Sequence, residues 1–310
     1  MRILTVGAGA AGGYFGALLA RAGQDVTFLV RPGRAAALST RGLRVSGQGE
    51  EFVLEPRLTT ADTLSGGYDL VLLSVKSTAL AAAAHDLAPA VGPGTTIVPL
   101  LNGMAHLDSL GARFGERAVL GGVAKVVTTL DDDGDILRMA PPRALLVGET
   151  GPASADPSAR VREIRAALNG AGITSPDVED IVAAMWHKWV FITTLAAVTC
   201  LMRGSVGEVN AATGGEELGR AVLAEAAAVS AAAGYPVPEA ERAATAATVT
   251  AAGSPLTPSM YRDLQSGRPT EVEHVFGDLL ARARALSVPV PLLELATLHL
   301  RVHQRRVTKE

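Results

Sequence analysis

Cysteine is almost absent from the chain. Cys200 is the single one in 310 residues, so no intramolecular disulfide can form, and that usage fits a reducing cytoplasm. It lies in the apolar stretch 195–202, a setting for a packed thiol rather than a nucleophile. Aromatic residues make up only 4%, so aliphatic and alanine side chains must build the cores. Neither sign of charge is in large excess: a net charge of -3 leaves no basic field for nucleic acid. Long apolar runs are missing too. The longest, residues 189–202, has 14 residues, three of them threonines, between Lys188 and Arg203. A bilayer span needs roughly 18 to 20, so a buried helix is expected and no membrane segment. No signal peptide is visible, because Met1 enters a strand-like run directly.

What is present reads as an ordinary globular chain, 48% hydrophobic and 19% charged, long enough for two domains. Strand-like runs at 3–6, 26–30, 70–75, 96–101, 119–127 and 144–148 alternate with alanine-rich helical segments such as 10–21 and 78–87. That order predicts a mostly parallel sheet covered on both faces, with a small hairpin within 42–54. Beyond residue 178 the strand signal ends, and helices are expected at 179–202, 216–233, 238–252, 258–264, 271–286 and 292–305. Thr270 and Glu273 have capping-box spacing. The basic cluster 301–309 reads as a solvated helix end. The expected organisation is an α/β Rossmann domain over 1–178 and an all-α domain over 179–310.

Gly7-Ala8-Gly9-Ala10-Ala11-Gly12 follows the first strand and opens the first helix. In that context Gly7 allows the tight turn, Gly9 lets amides approach a pyrophosphate, and Gly12 lets helix and strand pack closely. The helix N-terminus adds unpaired N–H groups and partial positive charge. An enzyme preferring NAD usually has an acidic residue at the end of the second strand. Here Arg31 stands there, with Arg34 nearby, and a guanidinium suits a 2′-phosphate. The expected cofactor is NADP(H).

With these residues in view, the chain resembles the ketopantoate reductase (2-dehydropantoate 2-reductase) family over nearly its whole length. The likeness rests on Gly7–Gly12 with Arg31, Ser74-Val75-Lys76, Leu101-Asn102-Gly103-Met104, Trp186-His187-Lys188, Ser259-Met260, and Arg268-Pro269-Thr270-Glu271. The resemblance implies reduction of a 2-oxo acid by NADPH, with 2-dehydropantoate to pantoate, in pantothenate biosynthesis, the foremost case. It makes Lys188 the group that stabilises the developing alkoxide and supplies the proton, and Glu271 the carboxylate that holds lysine and substrate. Asn102 and Ser259 become substrate contacts, with Asp263 a further candidate on the same helix face as Ser259. Lys76 and Asn102, at strand carboxyl ends, are expected near the cofactor.

Adjacent helical residues point about 100° apart, so His187 cannot share the orientation of Lys188. His299 and His303 are four apart but lack an acidic partner, and no metal site is expected. One departure matters. The family usually has asparagines one and two turns after its lysine, and this chain has Ile192 and Ala196. The identity of the 2-oxo acid is therefore open, and a different 2-oxo acid or ketone, or a non-catalytic NADP(H)-binding regulator, stands as the alternative. A homodimer is compatible with an apolar face on the helical half.

Overall fold

The computed structural model describes residues 1–151 and 156–308. Lys309, the last member of the basic cluster, lies outside them. The chain divides into two compact units, Met1–Leu101 with His106–Val182, and Asn102–Ala105 with Ala183–Glu310.

The first unit runs β1 (Arg2–Val6), α1 (Ala10–Arg21), β2 (Asp25–Leu29), α2 (Pro32–Arg41), β3 (Leu43–Gly47), β4 (Glu50–Leu54), β5 (Arg57–Thr59), β6 (Leu70–Leu73), α3 (Leu80–Asp86), β7 (Thr96–Pro99), α4 (Ala105–Phe114), β8 (Leu120–Leu130), β9 (Ile136–Glu149) and α5 (Ala159–Gly170). Five strands form a parallel sheet in the order β5-β2-β1-β6-β7. Period-two alternation divides its side chains between two cores. Ile3, Phe28, Leu70, Leu72 and Val98 pack with Tyr14, Phe15 and Leu19 of α1 and with Val161, Ile164 and Leu168 of α5. Leu4, Val6, Leu29, Val71, Leu73 and Ile97 pack on the other face with Leu80, Ala83 and Ala84 of α3. Burying one such large aliphatic side chain contributes about 1.5–3 kcal/mol.

The runs at 119–127 and 144–148 do not join that sheet as ladder strands. They lie in β8 and β9, which pair antiparallel in a second sheet of order β4-β3-β9-β8. β9 starts earlier than the apolar run implies. The register passes from Val126 opposite Arg143 to Thr128 opposite Arg138, with Pro141 and Pro142 in the irregular stretch. Proline cannot donate to a ladder, so the sequence signal breaks where the strand does not. The hairpin within 42–54 is β3–β4, and Gln48 and Gly49 at its turn both have positive φ, as a tight two-residue connection requires.

The second unit is built from α6 (Ile181–Met202), α7 (Val206–Ala211), α8 (Gly215–Ala232), α9 (Glu239–Val249), α10 (Ser259–Gln265), a π-helical turn Glu273–Gly277 leading into α11 (Asp278–Ala285), and α12 (Pro291–Val307). α6 has 22 residues and is long and apolar enough to cross a membrane, which the 14-residue apolar run alone did not indicate. Most of it is buried within the protein: Ala197, Val198 and Cys200 are fully covered. Two of its three threonines fit because Thr194 and Thr199 donate to the carbonyls of Val190 and Leu195, one turn back. Burial pushes the Cys200 thiol up to about 12, the state of an inert packed thiol. α12 is capped by Glu225 of α8, whose carboxylate accepts the Leu292 and Leu293 N–H groups at 3.0 Å each.

The capping box expected at Thr270 and Glu273 does not form. Thr270 N–H donates instead to Gln304 Oε1 of α12 at 2.9 Å, and Glu273 pairs with Arg301 of the same helix. A complete box occurs at Ser205 and Glu208, at the start of α7.

Candidate functional site

In the first unit the site begins at the turn between β1 and α1. Gly7 has φ +92°, and a Cβ there would sit 2.5 Å from the Ser74 carbonyl oxygen. A Cβ on Gly12 would sit 2.5 Å from Ser74 Cβ and 2.6 Å from the Gly7 oxygen. Those two glycines let the turn close against the carboxyl end of β6. Gly9 differs, because an added Cβ meets nothing within 4 Å. Its open side lies at the N-cap of α1, where the first turn carries no acidic residue and no side-chain cap. The N–H groups of Ala10, Ala11 and Gly12 therefore precede the first intrahelical bond, Gly13 N to Gly9 O at 2.8 Å. The order β5-β2-β1-β6-β7 reverses direction between β1 and β6, and the crevice of such a sheet opens at that point. A pyrophosphate fits this cradle: the donors are backbone, the field is positive, and the approach is clear.

Arg31 follows β2 as the N-cap of α2, is exposed, and its guanidinium has no partner among the described residues. Arg34 behaves otherwise. Its guanidinium donates to the carbonyls of Ala8 at 3.3 Å and Gly134 at 2.8 Å, tying the glycine turn to the β8–β9 connection. Of the two guanidiniums, Arg31 is the one without acceptors among the described residues. Lys76 is exposed at the loop after β6.

The remaining motif residues cluster in the second unit. Lys188 is half-buried on α6 between buried Trp186 and Trp189, whose rings are 4.9 Å apart. Trp189 Nε1–H donates to the Val275 carbonyl at 2.9 Å, and Val275 N–H donates to the Glu271 carbonyl at 3.0 Å. This chain of bonds fixes the segment carrying half-buried Glu271 against the turn of α6 that carries Lys188. Gly103 joins them: its φ is +78°, and a Cβ there would lie 3.1 Å from the His274 oxygen and 3.7 Å from Trp189 Nε1. So the Asn102-Gly103 turn, the third turn of α6 and the segment 271–275 converge in one unit. Trp189 and Gly103 are the residues the sequence reading did not single out for this. Their signal was present as the aromatic next to Lys188 and an Asn-Gly turn pair.

Ser259 is exposed in the first turn of α10. Asp263, four residues on, is buried, and Arg268 Nε lies 3.2 Å from its carboxylate while Arg268 N donates to its carbonyl. Burial lowers the Arg262 guanidinium from its ordinary value, with the neighbouring Asp263 charge opposing that shift. His187 Nδ1 lies 3.4 Å from Glu241 of α9. His303 Nε2 contacts the Arg268 carbonyl at 3.0 Å, and burial with nearby positive charge lowers the pKa of His299. No group of three or more His, Cys, Asp or Glu side chains arranged for a metal occurs among the described residues. Along α6 beyond Lys188, Ile192 is half-buried and Ala196 is buried.

Comparison with known proteins agrees with both halves. Residues 3–152 match the family Ketopantoate reductase PanE/ApbA, and residues 180–304 match Ketopantoate reductase PanE/ApbA C terminal. The uncharacterized oxidoreductase YkpB of Bacillus subtilis (strain 168) is 30% identical, over 98% of this chain and 99% of its own length. The crystal structure of a PanE/ApbA family ketopantoate reductase from Ralstonia eutropha JMP134 superposes with a TM-score of 0.89 at 26% identity, covering 99% of this chain and 100% of that one. A D-mandelate dehydrogenase bound to NADH and anilino(oxo)acetate shares the fold, with a TM-score of 0.88 at 18% identity over 99% of this chain and 100% of that one. The glycine cradle, the Lys188–Glu271 arrangement and these likenesses converge: the chain belongs to the ketopantoate reductase family of oxidoreductases.

Proposed function

We propose that the protein reduces a 2-oxo acid to the 2-hydroxy acid with NADPH, and that 2-dehydropantoate, yielding pantoate, is the first substrate to test. The observation that carries this reading is the bonded chain from Trp189 through Val275 to Glu271, which holds a carboxylate-bearing segment beside the turn of Lys188. The cofactor belongs at the N–H groups of Ala10, Ala11 and Gly12, with Arg31 on its 2′-phosphate and Lys76 near its phosphates or nicotinamide end. When bound, the reduced nicotinamide supplies the hydride to the carbonyl carbon.

Lys188 does the rest at the oxygen. An ammonium in a half-buried setting stabilises negative charge more as that charge grows, so its effect is larger on the alkoxide-like transition state than on the ketone. It then gives up a proton to the alkoxide. Glu271 orients Lys188 and accepts a hydrogen bond from the substrate hydroxyl that 2-dehydropantoate carries, while the neutral groups of Asn102 and Ser259 donate to the substrate carboxylate without competing for the lysine. Asp263, already engaged by Arg268, is assigned a supporting part in shaping that wall.

One observation favours a second reading of the substrate. Ile192 and Ala196 make the face of α6 beyond Lys188 apolar. A pocket built to bind a hydroxyl discriminates strongly for it, and an apolar one does not. A 2-oxo acid with an apolar side chain is therefore the alternative to 2-dehydropantoate. The deciding experiment is NADPH oxidation followed at 340 nm against a panel of 2-oxo acids that includes 2-dehydropantoate, apolar aliphatic and aromatic members. Turnover of 2-dehydropantoate above the others supports the first reading, and preference for an apolar member supports the second. No turnover of any member, with NADPH bound, would favour a non-catalytic binding protein.

A further inference from the structure

Three apolar side chains of α12 face solvent: Leu295, Leu298 and Val302 are 52%, 59% and 43% exposed. At 100° per residue they fall within an arc of about 60° on one side of the helix. The opposite side is spent on the protein's own interior, with Leu293, Ala296, Thr297 and Leu300 buried. Single exposed apolar residues are ordinary on any surface. A stripe at i, i+3 and i+7 is different, because it has the spacing of the seam between two paired helices.

The charges on α12 indicate what such a seam would accept. Exposed Glu294, in a solvent-facing ion pair with Arg284 of α11 at 3.5 Å, stands at its N-terminal end, and exposed Arg305 and Arg306 stand at its C-terminal end. An antiparallel copy of the same helix brings each acidic end to the other's basic end, whereas a parallel copy stacks like on like. Self-complementary patches related by a two-fold axis are the commonest route to a soluble oligomer.

We propose that this face binds a second copy of the chain, α12 against α12, antiparallel about a two-fold axis close to Leu298. Leu298 then packs beside its own symmetry mate, and Leu295 meets the Val302 of the second copy.

The test is sedimentation of the full-length protein from about 1 to about 100 µM, a span covering moderate to weak association. A dimer is expected, and Leu298→Glu should raise its dissociation constant at least tenfold while far-UV circular dichroism stays unchanged. A cross-linking variant fixes the register. Leu298→Cys should form an intermolecular disulfide under mild oxidation, because buried Cys200 does not compete. Leu295→Cys should link poorly, since its mate lies about 10 Å away along the helix axis. A monomer at every concentration overturns the proposal, as does a dimer indifferent to Leu298→Glu. A monomer that instead sediments with anionic lipid vesicles assigns the stripe to a membrane surface and overturns it equally.

Discussion

In the first unit, the groups proposed to receive the dinucleotide are backbone N–H groups at Ala10, Ala11 and Gly12, together with one guanidinium, Arg31. In the second, the proposed chemistry belongs to side chains drawn from three separated segments, at Asn102, Lys188 and Glu271. The donors of the first arrangement come from a strand, a turn and a helix in succession, and two glycines that cannot carry a Cβ let that turn close against Ser74 after β6. The second needs tertiary packing, and it is held by one indole hydrogen bond and by α12. A backbone site thus draws its donors from one short segment, whereas a side-chain site gathers its groups from distant ones.

The largest expected effect breaks the first half of that contrast. Gly12→Val puts carbon into Ser74 and the Gly7 carbonyl, so NADPH affinity should fall at least about 100-fold, roughly 2.8 kcal/mol, in a calorimetric titration. Retained affinity would mean that the turn is not the cradle. Next comes Arg31→Asp. Hydrogen bonds to charged groups contribute about 1.5–3 kcal/mol, so NADPH binding should weaken by about tenfold to about 100-fold with NADH little changed. Equal losses for both dinucleotides would separate Arg31 from the 2′-phosphate.

Trp189→Phe sharpens the contrast from the other side. It removes the indole N–H that the Val275 carbonyl accepts, which should cost about 0.5–1.5 kcal/mol of stability and lower turnover, while NADPH affinity stays the same. Reduced cofactor affinity in that variant would blur the division between the units. The smallest effect is at Glu273, held below the ordinary glutamate range by its hydrogen bond to Arg301. A depressed carboxylate stabilises the fold above its unfolded pKa, and that contribution is lost as pH falls through the lowered folded value. The pair is largely exposed, so the contribution should stay below about 1 kcal/mol. Melting temperatures of the wild type and Glu273→Gln should differ slightly near neutral pH and converge in acid; divergence in acid would contradict the pairing.

The same contrast explains what could be read from the sequence. The Rossmann order and its glycine motif were legible because strand, turn and helix follow one another within the first 30 residues. The antiparallel pairing of β8 and β9 was not, because Pro141 and Pro142 interrupt the apolar pattern and a strand's sheet partner is not encoded in its periodicity. The Thr270–Glu273 spacing predicted a local cap, yet Gln304 and Arg301, some 30 residues later, supply the partners. In the second unit, Lys188 and Glu271 could be named from the family resemblance. The Trp189–Val275 bond that brings their segments together could not, since no local rule links residues 86 positions apart. Arg34 shows the same limit: beside Arg31 in sequence it reads as a phosphate ligand, and in the fold it is engaged by two carbonyls.

The account turns on Lys188 acting at the carbonyl rather than on the dinucleotide. The measurement that tests this most directly is Lys188→Ala, with kcat/KM on the best 2-oxo acid and the NADPH dissociation constant determined on the same preparation. The account predicts a fall in kcat/KM of roughly two orders of magnitude or more, the usual scale for a positioned acid or charge stabiliser, with NADPH affinity unchanged. Turnover at the wild-type rate would contradict it, and so would a loss of activity matched by an equal loss of NADPH binding.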